Sequence, residues 1–251
     1  MTLNKAEKNW INIWNKTCID RIPEWDQLSN VIFSFLITVI PSFVGKKVLE
    51  VGSGTGRISL KISQLRGADV ILVDVSRRMI KYSKRLARTR GVSAEFIVAS
   101  IFALPIKSEC LDIIWSAGLL EHFSFERQQS AISECMRCLK ESGKNVLIVP
   151  NKRAFIYNWL RVFSMKLGKW PYGYEEPLSR KDMNRFYPRP EYTYSAHGFL
   201  QLSSIVSVSY VSCGRILKRL LRIFHSMLGN GLYLINLLLP AYLLIGIFIK
   251  R

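Results

Sequence analysis

The sequence predicts an α/β fold built on a doubly wound, mostly parallel seven-stranded sheet, with an inserted aromatic-rich cap after the fifth strand. Three observations support this prediction. Short apolar runs alternate with helical patterns from Lys46 onward, the first run leads into three alternating glycines, and the second run ends in an acid. A chain of 251 residues has room for one such domain and a modest cap.

The elements of the sheet domain follow from the spacing of apolar residues and from the turn residues between them. Core strands are predicted over residues 47–51, 68–73, 94–99, 111–116 and 145–149, and core helices over residues 57–65, 77–90 and 130–139. A turn around Gly143 separates the last of these helices from the fifth strand. Beyond the core, strands are predicted over residues 204–211 and 242–250 and a helix over residues 214–229.

The composition divides the chain into four segments. Residues 1–45 are predicted to be a helical lead-in, in which Trp10 and Trp14 stand four positions apart, and residues 46–151 are the glycine-containing core. Residues 152–200 are rich in aromatic residues, prolines and cations. Because this segment is too long for an ordinary connection, it is predicted to be a substrate cap. Residues 201–251 are predicted to return to the sheet domain.

The charge of the chain is strongly positive. Lys and Arg total 36 against 18 Asp and Glu, which gives a formal charge of +18. Such a field favours anionic partners, and an anionic membrane surface or, less favoured, nucleic acid is expected from it. A solvated basic surface without a specific partner is the alternative. The apolar fraction of 49% predicts a full hydrophobic core rather than a globally disordered chain.

The predicted location is the cytoplasm. No secretory signal precedes the core, and five cysteines, an odd number, indicate free thiols in a reducing compartment. An uncharged run over residues 231–249 just reaches the length of a membrane span, but Pro240 divides it. A helix followed by a strand is therefore favoured, and membrane association through this apolar C terminus is the alternative.

The segment VLEVGSGTGRIS, residues 48–59, followed by ILVDVS, residues 71–76, predicts an adenosine-bearing cofactor. Its layout is that of a Rossmann-like strand, tight glycine turn and helix, with a second strand that ends in Asp74. A carboxylate at that position can accept hydrogen bonds from both hydroxyls of a ribose. Arg57 stands where a dinucleotide site has its third glycine, which disfavours a nicotinamide cofactor and a dehydrogenase.

These motifs resemble those of the class I S-adenosylmethionine-dependent methyltransferases, in the branch of small-molecule and lipid-type enzymes. The likeness covers roughly residues 46–151, the S-adenosyl-L-methionine-binding core, and includes DVSRRMIKYSKR, ASIFALPI, LDIIWSAGLLEHF and ESGKNVLIVPN. It implies that an acid and glycines line the methionine end, that Asp74 binds the ribose, and that later residues border adenine and the pocket. The implied cofactor-binding residues are Glu50, Gly52, Ser53, Gly54, Gly56, Asp74, Val75, Met79, Ser100, Ile101, Ser116, Ala117 and Leu119.

Ser100 departs from the family pattern, which has an aspartate that accepts from the adenine amino group. A serine still accepts one hydrogen bond, so weaker affinity for the cofactor is expected rather than its loss. This departure is the reason to keep a non-catalytic S-adenosylmethionine-binding protein as an alternative.

Glu121 and His122 follow the fourth strand and are the candidate catalytic bases. The expected reaction transfers a methyl group to a small-molecule or lipid-like acceptor, with an RNA acceptor as the alternative. Holding the reacting atoms in line supplies most of the acceleration, and a base is needed only for a hydroxyl or an acidic C–H group. His122 is expected to take a proton near neutral pH, unless LEH merely starts a helix. No metal ligand set is predicted.

Overall fold

The structure is a computed structural model that describes residues 3–18, 22–186 and 242–250, together with the backbone of residues 192–196. Its strands are β1 (Lys47–Val51), β2 (Asp69–Asp74), β3 (Glu95–Val98), β4 (Leu111–Ala117), β5 (Leu139–Pro150), β6 (Tyr192–Ala196) and β7 (Leu243–Ile249). They form one seven-stranded sheet in the order β3-β2-β1-β4-β5-β7-β6. The pairs from β3 to β5 are parallel, and β7 is antiparallel to both of its neighbours. The predicted doubly wound, mostly parallel arrangement is confirmed.

Helices cover both faces of this sheet. They are α1 (Lys5–Lys16), α2 (Gln27–Val39), α3 (Arg57–Arg66), α4 (Arg77–Thr89), α5 (Phe125–Cys138), α6 (Phe155–Lys166) and α7 (Arg180–Met183). The strand order changes direction between β1 and β4, so a crevice opens at the carboxyl ends of these two strands. Crevices of this kind are where ligands bind in open α/β sheets.

The alternation of side chains along the strands divides the core into two layers. Leu49 and Ile114 point into the layer that contains α5, while their neighbours Val48 and Ile113 point into the layer that contains α2 and α3. The second layer also holds Trp115, whose indole N–H donates to the Ser59 hydroxyl at 3.0 Å. Because both faces are covered, the central strands are apolar almost throughout.

Two elements differ from the sequence-based bounds. Helix α5 begins at Phe125, five residues before its predicted start, because its first turns are polar and carry no apolar period. Strand β5 begins at Leu139 rather than Asn145, and it pairs with β4 through a register shift. The turn predicted at Gly143 lies within this irregularity, where Ser142 has a φ of 60°.

The end of the apolar C-terminal run is a strand. Gly246 in β7 pairs with Leu147 in β5, and the pairing continues from Leu243 to Ile249. The strand prediction for this stretch is therefore confirmed. Among the described residues, no helix has both the length and the hydropathy that crossing a bilayer requires. The predicted strand over residues 204–211 and helix over residues 214–229 lie outside the described residues.

Candidate active site at the carboxyl edge of the sheet

A cavity of about 470 Å³ lies at the carboxyl ends of β1, β2 and β4. The loops that follow these strands form its floor, and α1 and α2 contribute to its cover. Five acidic side chains line it: Glu7, Glu50, Asp74, Glu121 and Glu175. Two basic side chains also line it. Arg57 is already bound to Asp26 at 2.6 Å, and His122 is buried. The cavity is thus acidic inside a strongly basic protein.

The glycine turn after β1 is compact because each of its glycines has a positive φ. Gly52, Gly54 and Gly56 have φ values of 66°, 50° and 67°. A Cβ atom on Gly56 would lie 2.4 Å from Leu72 Cδ1, and one on Gly52 would lie 3.0 Å from Leu119 Cδ1. Gly56 does not line the cavity, so its role is to bring α3 against the sheet.

Asp74 joins the tip of β2 to this turn. Its Oδ2 accepts from the backbone N–H of Gly54 and its Oδ1 from that of Ser76, both at 2.8 Å. Burial raises the pKa of this carboxyl, and the two backbone bonds oppose the rise. A carboxylate has about four lone-pair sites, so two remain for a ligand in the cavity.

Glu50, at the end of β1, is also buried, with 7% of its surface exposed. Burial raises its pKa to about 8, because Ser59 and Arg57 only partly compensate for lost solvation. Its Oε2 has no hydrogen-bond partner, and neither has the Oγ of the neighbouring Ser53. These unpaired oxygens on the cavity wall are suited to a ligand that donates hydrogen bonds.

The structure gathers most of the sequence-derived site residues around the cavity. Those on its wall are Glu50, Gly52, Ser53, Gly54, Asp74, Val75, Ile101, Ala117, Leu119, Glu121 and His122. Four others, Gly56, Met79, Ser100 and Ser116, lie behind the wall. Met79 is completely buried, and the Ser100 hydroxyl accepts from the backbone N–H of Phe102 at 3.2 Å.

Glu121 and His122 lie in a single 3-10 turn, Leu120–His122, rather than at the start of a helix. The Gln128 side chain holds this turn by donating to the carbonyls of Leu120 and Phe123, both at 3.0 Å. His122 Nδ1 is 2.7 Å from the carbonyl oxygen of Tyr174. Because a carbonyl only accepts, Nδ1 carries the proton and Nε2 has the free lone pair.

Burial shifts the pKa values of Glu121 and His122 in opposite directions. It lowers the pKa of His122 to about 4 and raises the pKa of Glu121 well above its usual range, the latter with help from the nearby Glu175. His122 is therefore neutral at pH 7 but a weaker proton acceptor than an ordinary histidine, contrary to the expectation from sequence. Glu121 is the stronger base, and its Oε2 has no partner.

An aromatic wall from α1 was not predicted as part of the site. The ring of Trp10 stacks on Tyr172, with centroids 5.7 Å apart, and contacts His122 edge-on at 4.9 Å. Trp14 Cζ2 lies 3.5 Å from where a Cβ of Gly54 would be. The spacing of the two tryptophans, four residues apart, was the available signal, since it places both on one helix face.

A second part of the cavity wall combines Tyr157 from α6 with Glu175 and Tyr242. The Tyr157 hydroxyl donates to Glu175 Oε1, and the Tyr157 and Tyr242 rings lie 4.9 Å apart. Burial raises the pKa of Glu175, while the bond from Tyr157 opposes the rise. No sequence pattern connects these three residues, because they come together only through the tertiary fold.

Comparison with known proteins agrees with this geometry. Residues 48–143 match the family described as "Methyltransferase domain". Residues 48–143 are a class I methyltransferase domain. The cofactor of such domains is S-adenosyl-L-methionine. The methyltransferase domain contains the glycine turn, Asp74 and both candidate bases.

Curated relatives match part of the chain. The ubiquinone/menaquinone biosynthesis C-methyltransferase UbiE of Shewanella sediminis is 32% identical over 112 residues, which are 43% of this chain and 44% of the relative. The demethylmenaquinone methyltransferase of Thermus thermophilus is 29% identical over 114 residues, which are 44% of this chain and 51% of the relative. The match thus spans about half the length of these relatives.

Solved structures show that the likeness in fold extends further. Geranyl diphosphate C-methyltransferase from Streptomyces coelicolor aligns over 100% of both chains with a TM-score of 0.66 and 14% identity. The [4+2]-cyclase SpnF aligns over 97% of this chain and 92% of its own, with a TM-score of 0.65 and 16% identity. Since these two proteins are named for different reactions, the fold alone does not determine the chemistry.

The residues of the methyltransferase domain fit the cofactor. The remaining lone pairs of Asp74 match a ribose diol, and the unpaired oxygens of Glu50 and Ser53 match hydrogen-bond donors. Gly52 and Gly54 have no side chains, so Leu119 and Trp14 pack directly against the turn at the cavity wall.

Proposed function

We propose that the protein transfers a methyl group from S-adenosyl-L-methionine to a small-molecule or lipid-like acceptor. The observation that carries the proposal is the Asp74 carboxylate, fixed by the N–H groups of Gly54 and Ser76 with free lone pairs at the cavity. The relatives named for ubiquinone and menaquinone biosynthesis support an acceptor of small-molecule type.

In this proposal the cavity holds the cofactor by its two polar ends. Asp74 accepts from the ribose hydroxyls, Val75 and Ile101 border adenine, and Glu50 faces the methionine end. Bound S-adenosylmethionine supplies an electrophilic methyl group on a positively charged sulfur. The ammonium group at the methionine end can donate to the unpaired oxygens of Glu50 and Ser53.

The acceptor is proposed to lie against the aromatic part of the cavity wall. Trp10 and Tyr172, together with Tyr157 and Tyr242, offer flat apolar surfaces for an aromatic or lipid-like group. Trp10 is on α1, and Tyr172 is in the segment that we propose as the substrate cap. Together these aromatic side chains exclude water from the reacting atoms. Alignment of the reacting atoms supplies most of the acceleration.

Glu121 is the proposed base where the acceptor must lose a proton. Its raised pKa makes it a better proton acceptor than an exposed glutamate, and the cavity leaves its Oε2 available. His122 is proposed to position the turn, because its Nδ1–H is used by Tyr174 and its lowered pKa weakens Nε2 as a base.

The alternatives are less well supported. An RNA acceptor needs cations to hold its phosphates, but Arg57 on the cavity wall is already bound to Asp26 and His122 is neutral at pH 7. A non-catalytic binding protein would not need the free Oε2 of Glu121 beside the cofactor site. A nicotinamide dinucleotide site has a glycine at the position of Arg57, and here the Arg57 side chain binds Asp26 and the carbonyl of Pro23 instead of a ligand.

Two measurements test the proposal. Calorimetric titration should show saturable binding of S-adenosylmethionine, and incubation with methyl-labelled cofactor and fractionated small-molecule and lipid extracts should label a product. Absence of binding would contradict the assignment of the cavity. Binding without turnover on any fraction, including RNA, would favour the non-catalytic alternative.

A further inference from the structure

Helix α6 presents its apolar side to solvent. Tyr157 and Ser164 face inward, with 6% and 2% of their surfaces exposed. On the outer side, Phe155, Trp159 and Phe163 are 57%, 65% and 48% exposed. A helix on the surface of a globular protein normally buries its apolar stripe and turns polar residues to water. Helix α6 therefore carries large apolar side chains on its solvent-facing side as well as on its inner side.

The outer side chains of α6 form one continuous surface. A period of about 3.6 residues places Phe155, Trp159, Val162 and Phe163 on the same side of the helix. The rings of Trp159 and Phe163 are stacked, with centroids 5.6 Å apart and planes 9° from parallel. Val162 is 42% exposed beside them. We call these four residues the α6 apolar face. Contiguous exposed apolar patches mark interaction sites.

Cations flank the α6 apolar face at both ends. Lys152 and Arg153 precede the helix, and Lys166 and Lys169 lie at its end, all of them exposed. Residues 151–171 contain five Lys and Arg residues in total and no Asp or Glu. Lys152 pairs with the exposed Glu176 at 3.9 Å, so the surface combines large apolar side chains with an excess of positive charge.

This combination points to a lipid surface rather than to a second copy of the chain. In a symmetric pair the same patch faces itself, so the flanking cations of one copy would oppose those of the other. Aromatic side chains with flanking Lys and Arg are instead typical of helices that lie in the interface of an anionic bilayer. A 12-residue helix is about 18 Å long, too short to cross a hydrocarbon core of about 30 Å.

We propose that the α6 apolar face binds the surface of an anionic membrane, with the helix lying in the plane of the interface. Phe155, Trp159 and Phe163 enter the acyl boundary, and the flanking cations bind lipid phosphates. The inner side of the same helix contributes Tyr157 to the cavity wall. The docked protein therefore holds its cavity next to the membrane.

Vesicle sedimentation tests this proposal without the methyl donor, so its outcome is independent of the proposed function. The protein should sediment with phosphatidylglycerol vesicles and at least about 10-fold less with phosphatidylcholine vesicles. The double variant Trp159→Ser, Phe163→Ser should weaken binding by at least about 10-fold. The matched control, Val44→Ser with Leu65→Ser, changes two exposed apolar residues elsewhere, 74% and 56% exposed, and should bind as the parent does.

Three further readouts make the outcome decisive. Lipids with a quencher in the acyl chain should reduce tryptophan fluorescence in the parent, and the reduction should be smaller in Trp159→Phe. Lys166→Gln with Lys169→Gln should lower binding to phosphatidylglycerol and leave weak binding to phosphatidylcholine unchanged. Equal binding by the parent and the Trp159, Phe163 variant would overturn the proposal. The proposal would also be overturned if sedimentation velocity showed that the parent is a dimer, that the Trp159, Phe163 variant is a monomer, and that vesicle binding does not differ between them.

Discussion

The carboxylate of Asp74 is joined to the backbone N–H of Gly54 by a hydrogen bond of 2.8 Å that spans 20 residues of sequence. The bond connects the tip of β2 to the middle of the glycine turn after β1. Ser76, the first residue before α4, supplies a second N–H to the same carboxylate. The orientation of the carboxylate is thus fixed by the backbone before a ligand enters, which reduces the ordering that binding requires.

Replacing Asp74 by Asn should weaken S-adenosylmethionine binding about 10- to 100-fold. Hydrogen bonds to charged groups contribute about 1.5–3 kcal/mol, and the amide of Asn would direct a donor toward N–H groups or ribose hydroxyls. Calorimetric titration measures the change in Kd. Asp69→Asn, at the exposed start of the same strand, is the matched control and should leave the Kd unchanged. Equal affinities for both variants would contradict the ribose assignment.

Gly56→Ala should destabilise the fold more than Gly67→Ala does. Both glycines have a φ of 67°, so both substitutions carry a left-handed penalty of roughly 1–2 kcal/mol. Only at Gly56 would the new Cβ also meet Leu72, at 2.4 Å, whereas at Gly67 its nearest neighbour is 4.0 Å away. The overpacking adds about 1–3 kcal/mol. Urea denaturation compares the two free energies of unfolding, and equal losses would argue against close packing at Gly56.

Glu50→Gln should stabilise the ligand-free protein at alkaline pH. The folded-state pKa of Glu50 is raised to about 8, so the neutral form is the one that folding favours. The stability that this form contributes is complete below about pH 4.5 and is lost as the pH rises through 8. Unfolding of the variant and the parent should therefore differ little at pH 5, and the variant should be more stable at pH 9. Glu95→Gln, at an exposed position, should show no such divergence.

Arg78→Ala should loosen α1 without unfolding the core. The Arg78 guanidinium donates to the backbone carbonyls of Trp14 and Thr17 at 3.0 and 2.9 Å, and it also donates to that of Asn15. These bonds cap the end of α1. Hydrogen exchange of the α1 amides should accelerate about 10-fold, which corresponds to about 1.4 kcal/mol.

The control for this prediction is the adjacent residue. Arg77→Ala changes an exposed arginine at the first position of α4 and should leave exchange in α1 as it is. Acceleration throughout the sheet in Arg78→Ala would instead indicate a global loss of stability. Such a result would contradict a local role for Arg78.

Glu121→Gln should lower kcat by roughly 10²- to 10⁴-fold when the acceptor must lose a proton, because it removes the proposed base. The Kd for the cofactor should stay unchanged. In the parent, activity should rise with pH through the raised pKa of Glu121 rather than near 4.5, since the ionised form accepts the proton. Glu126→Gln, on the exposed first turn of α5, is the control. A parent pH profile that persists in Glu121→Gln would exclude Glu121 as the base.

The central strands were predicted well because characteristic residues stand at their ends. β1 ends at a glycine turn and β2 ends in an acid, so hydrophobic pattern and turn residues agree there. The predicted strand limits were less accurate where the hydrophobic pattern and the turn residues conflict. β5 begins six residues before its predicted start, since a serine with a φ of 60° and a glycine are absorbed in a register shift instead of ending the strand.

The floor of the cavity was predictable from the sequence, but its walls were not. Its floor comes from local motifs around Gly54, Asp74 and Glu121, which lie at strand ends in the same sheet. Its walls depend on contacts between distant segments, as in the bond from Tyr157 to Glu175. The pKa of His122 was misjudged for the same reason, because the burial that lowers it is produced by Trp10 and by the segment around Tyr174.

The contrast between an acidic cavity and a molecule of charge +18 has a kinetic consequence. S-adenosylmethionine carries a net positive charge, so the exterior field slows its approach, and added electrolyte should speed capture by shortening the Debye length. Most electrostatically guided encounters show the opposite dependence. The demethylated cofactor has lost that charge, and its rate of escape should respond little to ionic strength.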